Sequence, residues 1–172
     1  MSEAFNALQF GFGKKTPVIL QVEAAECGIA CLAMIMAHYG HQIDLATLRR
    51  RYSVSIQGVT LRSLVQIADH MGFSTRAVRL DLDDLVNLKK PCILHWGMNH
   101  FVVLTEVKGD RITINDPAVG NRTLSMEEVS REFTGVALEA TPNASFEKKD
   151  ERETIHPGAL FRLLPVLRAA LL

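Results

Sequence analysis

The residues of this sequence best suited to chemistry are a cysteine, a histidine and an aspartate: Cys27, His100 and Asp116. Together such groups run acyl transfer: a thiolate attacks a carbonyl, an imidazole moves the protons, and a carboxylate holds the imidazole in one tautomer. Cys27 stands where QVEAAE gives way to the apolar run GIACLAMIMAHY, so its side chain falls in the first turn of an expected helix. Unpaired backbone N–H groups and the positive end of the helix dipole favour a thiolate there. A free cysteine is equally at home as a small apolar core residue, and helix position alone does not decide between the two. Gly28 beside it would let a substrate backbone come close.

The other two cysteines test that reading. Cys31 lies one turn further along the same helix face, near Met34 and Ile35, and Cys92 lies beside Ile93 and Leu94; both read as core. The rival chemistry is a structural zinc site made from Cys27, Cys31, Cys92 and a histidine. Its geometry is poor, because Cys92 and His95 are three apart in an expected strand and point to opposite faces.

A thiolate needs a base. His38 and His41 flank Gly40, His70 precedes Gly72, and His156 lies in a charged stretch; each reads as a polar residue at the end of an element. That leaves His95 and His100. His100 opens the strand HFVVLTEV, and hairpin arithmetic supplies it with a partner. With Lys108, Gly109 and Asp110 as a three-residue loop, Val107 faces Arg111 and Asp116 faces Val102. His100 and Asp116 are then diagonal neighbours on one face, about 7 to 8 Å apart at Cα. A two-residue loop, or a bulge in the ladder, would reverse the parity. Asp116-Pro117 also reads as an ordinary turn start. Gln21, six residues before Cys27, has an amide able to complete an oxyanion hole with the Cys27 backbone N–H, or is an exposed loop residue.

The elements that must hold these side chains divide into a helical half and a sheet half, an α+β class. Helices are expected from Gly28 to Tyr39, ended by Gly40; over LATLRRRY, capped by Asp44; over LRSLVQIADHM, capped by Thr60; and over LDDLVNLKK, capped by Asp81. Pro91 then ends the helical pattern, and CILHW, HFVVLTEV and RITIND read as strands. Ser125 and Glu128 form a capping box over MEEVSREF, and GVALEAT reads as a closing strand. Residues 1–15 read as a lead-in, 16–142 as the domain, 143–158 as a charged linker and 159–172 as part of something else.

A composition of 48% hydrophobic and 22% charged residues suits one globular domain. Nineteen basic residues balance nineteen acidic ones, so no net field gathers nucleic acid or an anionic membrane surface. Three cysteines, an odd number, and the lack of a signal-peptide pattern suggest free thiols in a reducing, intracellular compartment. The apolar stretch from Ala159 is broken by Arg162, Pro165 and Arg168, short of the ~20 residues a membrane span needs.

Gln21, E-C-G-I-A-C-L from Glu26, H-F-V-V-L from His100 and D-P-A from Asp116 follow one another in an order that resembles the C39 peptidase family. These are the N-terminal domains of peptidase-containing ABC transporters that export bacteriocins, here of the colicin V and microcin type. The resemblance implies a papain-like fold with its active site between the two halves. It implies hydrolysis of a precursor's leader peptide after a Gly-Gly pair, with Cys27 as nucleophile, His100 as base and then acid, Asp116 as orienter and Gln21 as oxyanion donor. It implies no cofactor for the domain, ATP for the rest of the transporter, and as partners the double-glycine leader and the transporter's own membrane and ATPase domains. The implied location is the cytoplasmic face of the bacterial inner membrane. No G-x-x-x-x-G-K-[ST] motif is present, and the tail from Ala159 reads as the start of the membrane domain.

A Gly-Gly preference calls for a narrow tunnel lined by large side chains, for which Trp96 is a candidate, although a core tryptophan explains it as well. Two other functions stand beside the peptidase. Some transporters of this kind carry a related domain that has lost the cysteine and only docks the leader, a catalytically idle module against which Cys27 argues. The third is a metal-stabilised structural domain.

Overall fold

The apolar run after Cys27 forms α1 (Cys27–Tyr39), of which every residue from Cys27 to Ala37 is buried. A helix that apolar on all sides must be surrounded by protein. The computed structural model, which describes residues 15–53, 55 and 58–152, wraps it accordingly. Gly40, with φ 104°, ends α1 and donates its N–H to the carbonyls of Met36 and Ala37. α2 (Leu45–Tyr52) starts where the Asp44 carboxylate accepts from Thr47 N at 2.8 Å. α3 (Leu61–His70) starts where the Thr60 hydroxyl accepts from Ser63 N at 3.1 Å.

The strands are β1 (Phe73–Arg79), β2 (Cys92–Trp96), β3 (His100–Lys108), β4 (Arg111–Asp116), β5 (Gly120–Ser125) and β6 (Phe133–Pro142), with α4 (Met126–Glu132) before the last. They form one antiparallel sheet in the order β1-β6-β2-β3-β4-β5. The strand over GVALEAT is therefore no edge, for it runs between β1 and β2. The helix expected after Asp81 is a single 3-10 segment, Leu82–Asn87, and the Asp81 side chain makes no cap bond. Lys90 Nζ instead donates to the carbonyls of Val86 and Leu88 at 2.9 and 2.8 Å. The capping box of α4 is formed, with Ser125 N donating to Glu128 Oε2 at 2.8 Å and Glu128 N to Ser125 Oγ at 3.3 Å.

Strand alternation sends side chains into two cores. Ile93, Phe101, Val103 and Leu138 join the core under α1 to α3. Cys92, Leu94, Trp96, Val102 and Leu104 join the other, with Val129 of α4 and Leu85 of the 3-10 segment. Cys92 is thereby parted from Cys27 and Cys31, which both lie in the first core, and the three cannot share one metal ion.

Residues 143–152, expected to begin a linker, are packed on the helical side. Asn143 N donates to Gly72 O at 2.8 Å, Gln42 N to Lys149 O at 2.8 Å, and Glu151 N to Gln42 O at 2.7 Å. The Phe146 ring meets Phe73 edge to face at 4.9 Å. The tail from Ala159 and most of the lead-in lie outside the described residues. Among the described residues no helix is long and apolar enough to cross a membrane.

Candidate active site

Three element ends meet at one place. Cys27 is the first residue of α1 and is 6% exposed; His100 is the first of β3, and Asp116 the last of β4. His100 Nε2 donates to Asp116 Oδ1 at 2.8 Å. That bond fixes the neutral imidazole with its proton on Nε2, which leaves the Nδ1 lone pair for the thiol. Contact with Cys27 raises the His100 pKa most, burial opposes it, and the hydrogen bond and charge of Asp116 raise it further.

The hairpin that brings His100 to Asp116 is not the one its arithmetic assumed. Lys108 pairs with Arg111, so the loop is Gly109 and Asp110 alone, with φ 56° at Gly109. The register then slips by one between Leu104 and Glu106, where Thr105 is the extra residue of a bulge. The Thr105 hydroxyl donates to Thr113 O at 3.0 Å across the break. Beyond it Leu104 faces Ile114 and Val103 faces Asn115, the expected register. The two departures cancel.

Asp116 is both orienter and turn residue in this geometry. Its Oδ1 also accepts from Ala118 N at 2.9 Å, an Asx turn that holds the carboxylate still, and Arg122 lies 3.9 Å from Oδ2. Asn115 next to it is 1% exposed and donates through Nδ2 to Thr16 O at 3.1 Å and Pro17 O at 3.3 Å. Gln21 N donates to Pro117 O at 2.8 Å, so the segment carrying Gln21 is moored on both sides of Asp116. The Gln21 Oε1, an acceptor, is buried without a partner.

Glu26, immediately before Cys27, is 2% exposed, and its Oε2 accepts from Val22 N at 2.9 Å and Glu23 N at 3.0 Å. A carboxylate abutting a wholly apolar helix must find such buried partners. Gly28 lets α1 pack closely: a Cβ there would lie 2.3 Å from Val59 Cγ2 and 3.2 Å from Leu64 Cδ2.

Trp96 does not line the cleft beside Cys27. It is 5% exposed in the second core, because β2 alternation turns His95 and not Trp96 towards the helical side. His95 helps to line a cleft of about 910 Å³ with Ala25, Val59, Leu61, Asn99 and Phe101, next to the Cys27 and His100 positions in the chain. The Thr134 hydroxyl donates to His95 O at 3.2 Å and so accepts from His95 Nδ1 at 2.7 Å, leaving Nε2 with the lone pair. Cys31 is fully buried, and burial, Cys27 and Asp116 hold its thiol well above the usual cysteine range. Burial pushes Cys92 up to about 12.

The family model of the peptidase C39 family matches residues 15–145. The chain belongs to the peptidase C39 family. Members are cysteine peptidases, and helices packed on a six-stranded antiparallel sheet are the family's papain-like fold. The chain is 50% identical over 147 residues to the colicin V secretion/processing ATP-binding protein CvaB of Escherichia coli, covering 86% of this chain and 21% of that protein. Identity is also 50%, over 144 residues, with the probable microcin-H47 secretion/processing ATP-binding protein MchF of Escherichia coli. The chain thus spans about a fifth of the length of these relatives. Among solved structures, a double glycine motif protease from an AMS/PCAT transporter, in complex with the leader peptide, superposes with TM-score 0.71 at 40% identity, covering 76% of this chain and 94% of that one. The peptidase domain of Streptococcus ComA gives 0.69 at 31% identity, covering 75% and 100%.

Proposed function

We propose that this C39 domain cleaves the leader from a bacteriocin or microcin precursor after a Gly-Gly pair, as the peptidase part of a longer exporter. The observation that carries the reading is the His100–Asp116 bond at 2.8 Å with His100 in contact with Cys27 at the head of α1. In the proposed reaction His100 Nδ1 takes the Cys27 proton, and the sulfur attacks the carbonyl carbon of the second glycine. The Gln21 amide and the Cys27 backbone N–H receive the oxyanion. The His100 proton passes to the departing amine, the C–N bond breaks, and the cargo leaves with a new N-terminus. His100 then deprotonates a water that attacks the thioester, releasing the leader as a carboxylate and restoring Cys27.

The similarity to proteins described as secretion/processing ATP-binding proteins supports an exporter with its own membrane and ATPase parts, which would use ATP and hold this domain at the cytoplasmic face of the inner membrane. We place the leader on the cleft lined by Val59, Leu61 and Phe101, an apolar surface that an amphipathic helix fits. The test is incubation with a synthetic leader carrying Gly-Gly before a short cargo, read by mass spectrometry. Cleavage after the second glycine that disappears in Cys27→Ala is expected. Leader binding without cleavage would make the domain an idle docking module.

A further inference from the structure

Three successive backbone N–H groups fix the segment that carries Gln21. That of Gln21 goes to Pro117 O, beside Asp116, and those of Val22 and Glu23 both go to Glu26 Oε2 at 2.9 and 3.0 Å. Glu26 is the residue before Cys27 and is 2% exposed. Its other oxygen, Oε1, lies 3.1 Å from Arg49 of α2, and Arg49 also holds Glu23 Oε1 at 2.7 Å. Neither carboxylate oxygen is free. A buried charge so placed has a structural cost that its partners must offset, and the group it holds is the loop between the Gln21 amide and the Cys27 thiol.

We propose that Glu26 is a positioning residue for the oxyanion hole: it clamps residues 22 and 23 to the start of α1 and so sets the Gln21 amide against the Cys27 backbone N–H. The inference rests on the assignment of Gln21 as oxyanion donor. The clamp acts on the loop, whereas Cys27, His100 and Asp116 are carried by α1, β3 and β4. An oxyanion hole matters to attack on a carbonyl and not to alkylation, in which sulfur displaces iodide from a saturated carbon and no oxyanion forms. The two reactions therefore separate the hole from the thiol.

The experiment uses the 172-residue chain and four variants: Glu26→Met, which keeps the bulk but has no acceptor; Glu26→Gln, which keeps one oxygen able to accept from both amides; Gln21→Ala; and Glu26→Met with Gln21→Ala. Leader-peptide cleavage gives kcat and KM, and iodoacetamide gives the Cys27 alkylation rate. For Glu26→Met the expected result is a kcat loss of about 10²-fold, as for removal of an oxyanion donor, with KM and alkylation within about 2-fold of the parent. Glu26→Gln should restore most of the rate, and the double variant should be no slower than Gln21→Ala alone. Should Glu26→Met fail to fold, Arg49→Ala at a part-exposed side chain tests the same clamp, with an expected kcat loss of about 2- to 10-fold and unchanged alkylation. The proposal is overturned by an undiminished kcat in the clamp variants, by losses that add in full to that of Gln21→Ala, by a Glu26→Gln enzyme as slow as Glu26→Met, or by alkylation falling in step with kcat. A Gln21→Ala enzyme at full rate would remove the oxyanion assignment itself, an outcome distinct from a slow Gln21→Ala beside a normal Glu26→Met.

Discussion

An imidazole held between a thiol and a carboxylate gives up its proton later than a free histidine does. His100 is raised by its contact with Cys27 first and by Asp116 second, against burial. Stability drawn from its charged form is therefore complete below the ordinary histidine value of ~6.5 and is lost as pH rises through the raised one. The imidazolium is also the form that protonates the leaving amine, so the alkaline limb of the kcat profile should lie above ~6.5. Asp116→Ala removes one of the raising groups and the acceptor that locks the tautomer. Its kcat on leader peptide should fall by about 10²-fold or more and its alkaline limb should shift to lower pH; a limb that stays put would separate Asp116 from the base. The thiols make a second test. Native chain should take up one iodoacetamide quickly, at Cys27, while Cys31 and Cys92, both 0% exposed and held protonated by burial, react only in denaturant. Cys27, His100 and Asp116 were legible because each sits at the end of an element whose pattern is strong. Glu26 and Asn115 were not, since a buried polar residue acts through partners distant in sequence: Asn115 reaches back to Thr16 and Pro17.

Elements, rather than residues, set the distance between the halves. α1 carries Cys27 into the cleft, and Gly28 allows that helix to lie against Val59 and Leu64, where a Cβ would come within 2.3 and 3.2 Å. Gly28→Ala should thus push the head of α1 away from α3, costing about 1 to 3 kcal/mol as overpacking does and slowing cleavage as the thiol moves. Chemical denaturation beside kcat would show both effects, and a variant of parental stability would mean that the loop at Val59 gives way freely. The packing role of Gly28 was not legible, because sequence shows the missing Cβ but not what fills its place. The caps at Asp44, Thr60 and Ser125 and the apolar strands were legible from local signals, whereas the Asp81 cap was not formed. The edge strands β1 and β5 were not, because FSTRAVR and GNRTLS are largely polar and gain their pairing only from β6 and β4. The hairpin is the sharpest case, for a two-residue loop and a bulge at Thr105 each shift the parity, and only their sum keeps Asp116 within reach of His100.

At the scale of the whole molecule, the domain carries its C-terminal segment as part of its fold. Residues 143–152 run over Gly72, where a Cβ would lie 2.6 Å from the Phe146 backbone, and reach the start of α2 through a parallel bridge between Gln42 and Asp150. Any force passed along the chain beyond residue 152 would act on this strap. Its charges make the docking depend on pH. Glu151 is held at about 2, by Lys149 first and by Arg51, against burial. A depressed carboxyl contributes stability that is present above its ordinary value of ~4.3 and lost as pH falls towards about 2. His41, 1% exposed and 3.6 Å from Glu151, is lowered by burial more than Glu151 raises it, so folding disfavours its protonation and stability also declines as pH drops below ~6.5. Glu151→Gln should lower stability at pH 7 by up to about 1 kcal/mol, the range of a partly exposed ion pair. Melting curves of parent and variant should then draw together as pH falls from ~4 towards about 2, as the parent progressively loses what the variant never had. A gap that stays constant down to pH 2.5 would mean that the strap is held by Phe146 and the backbone bonds alone, with the charges of Arg51, Lys149 and Glu151 as bystanders.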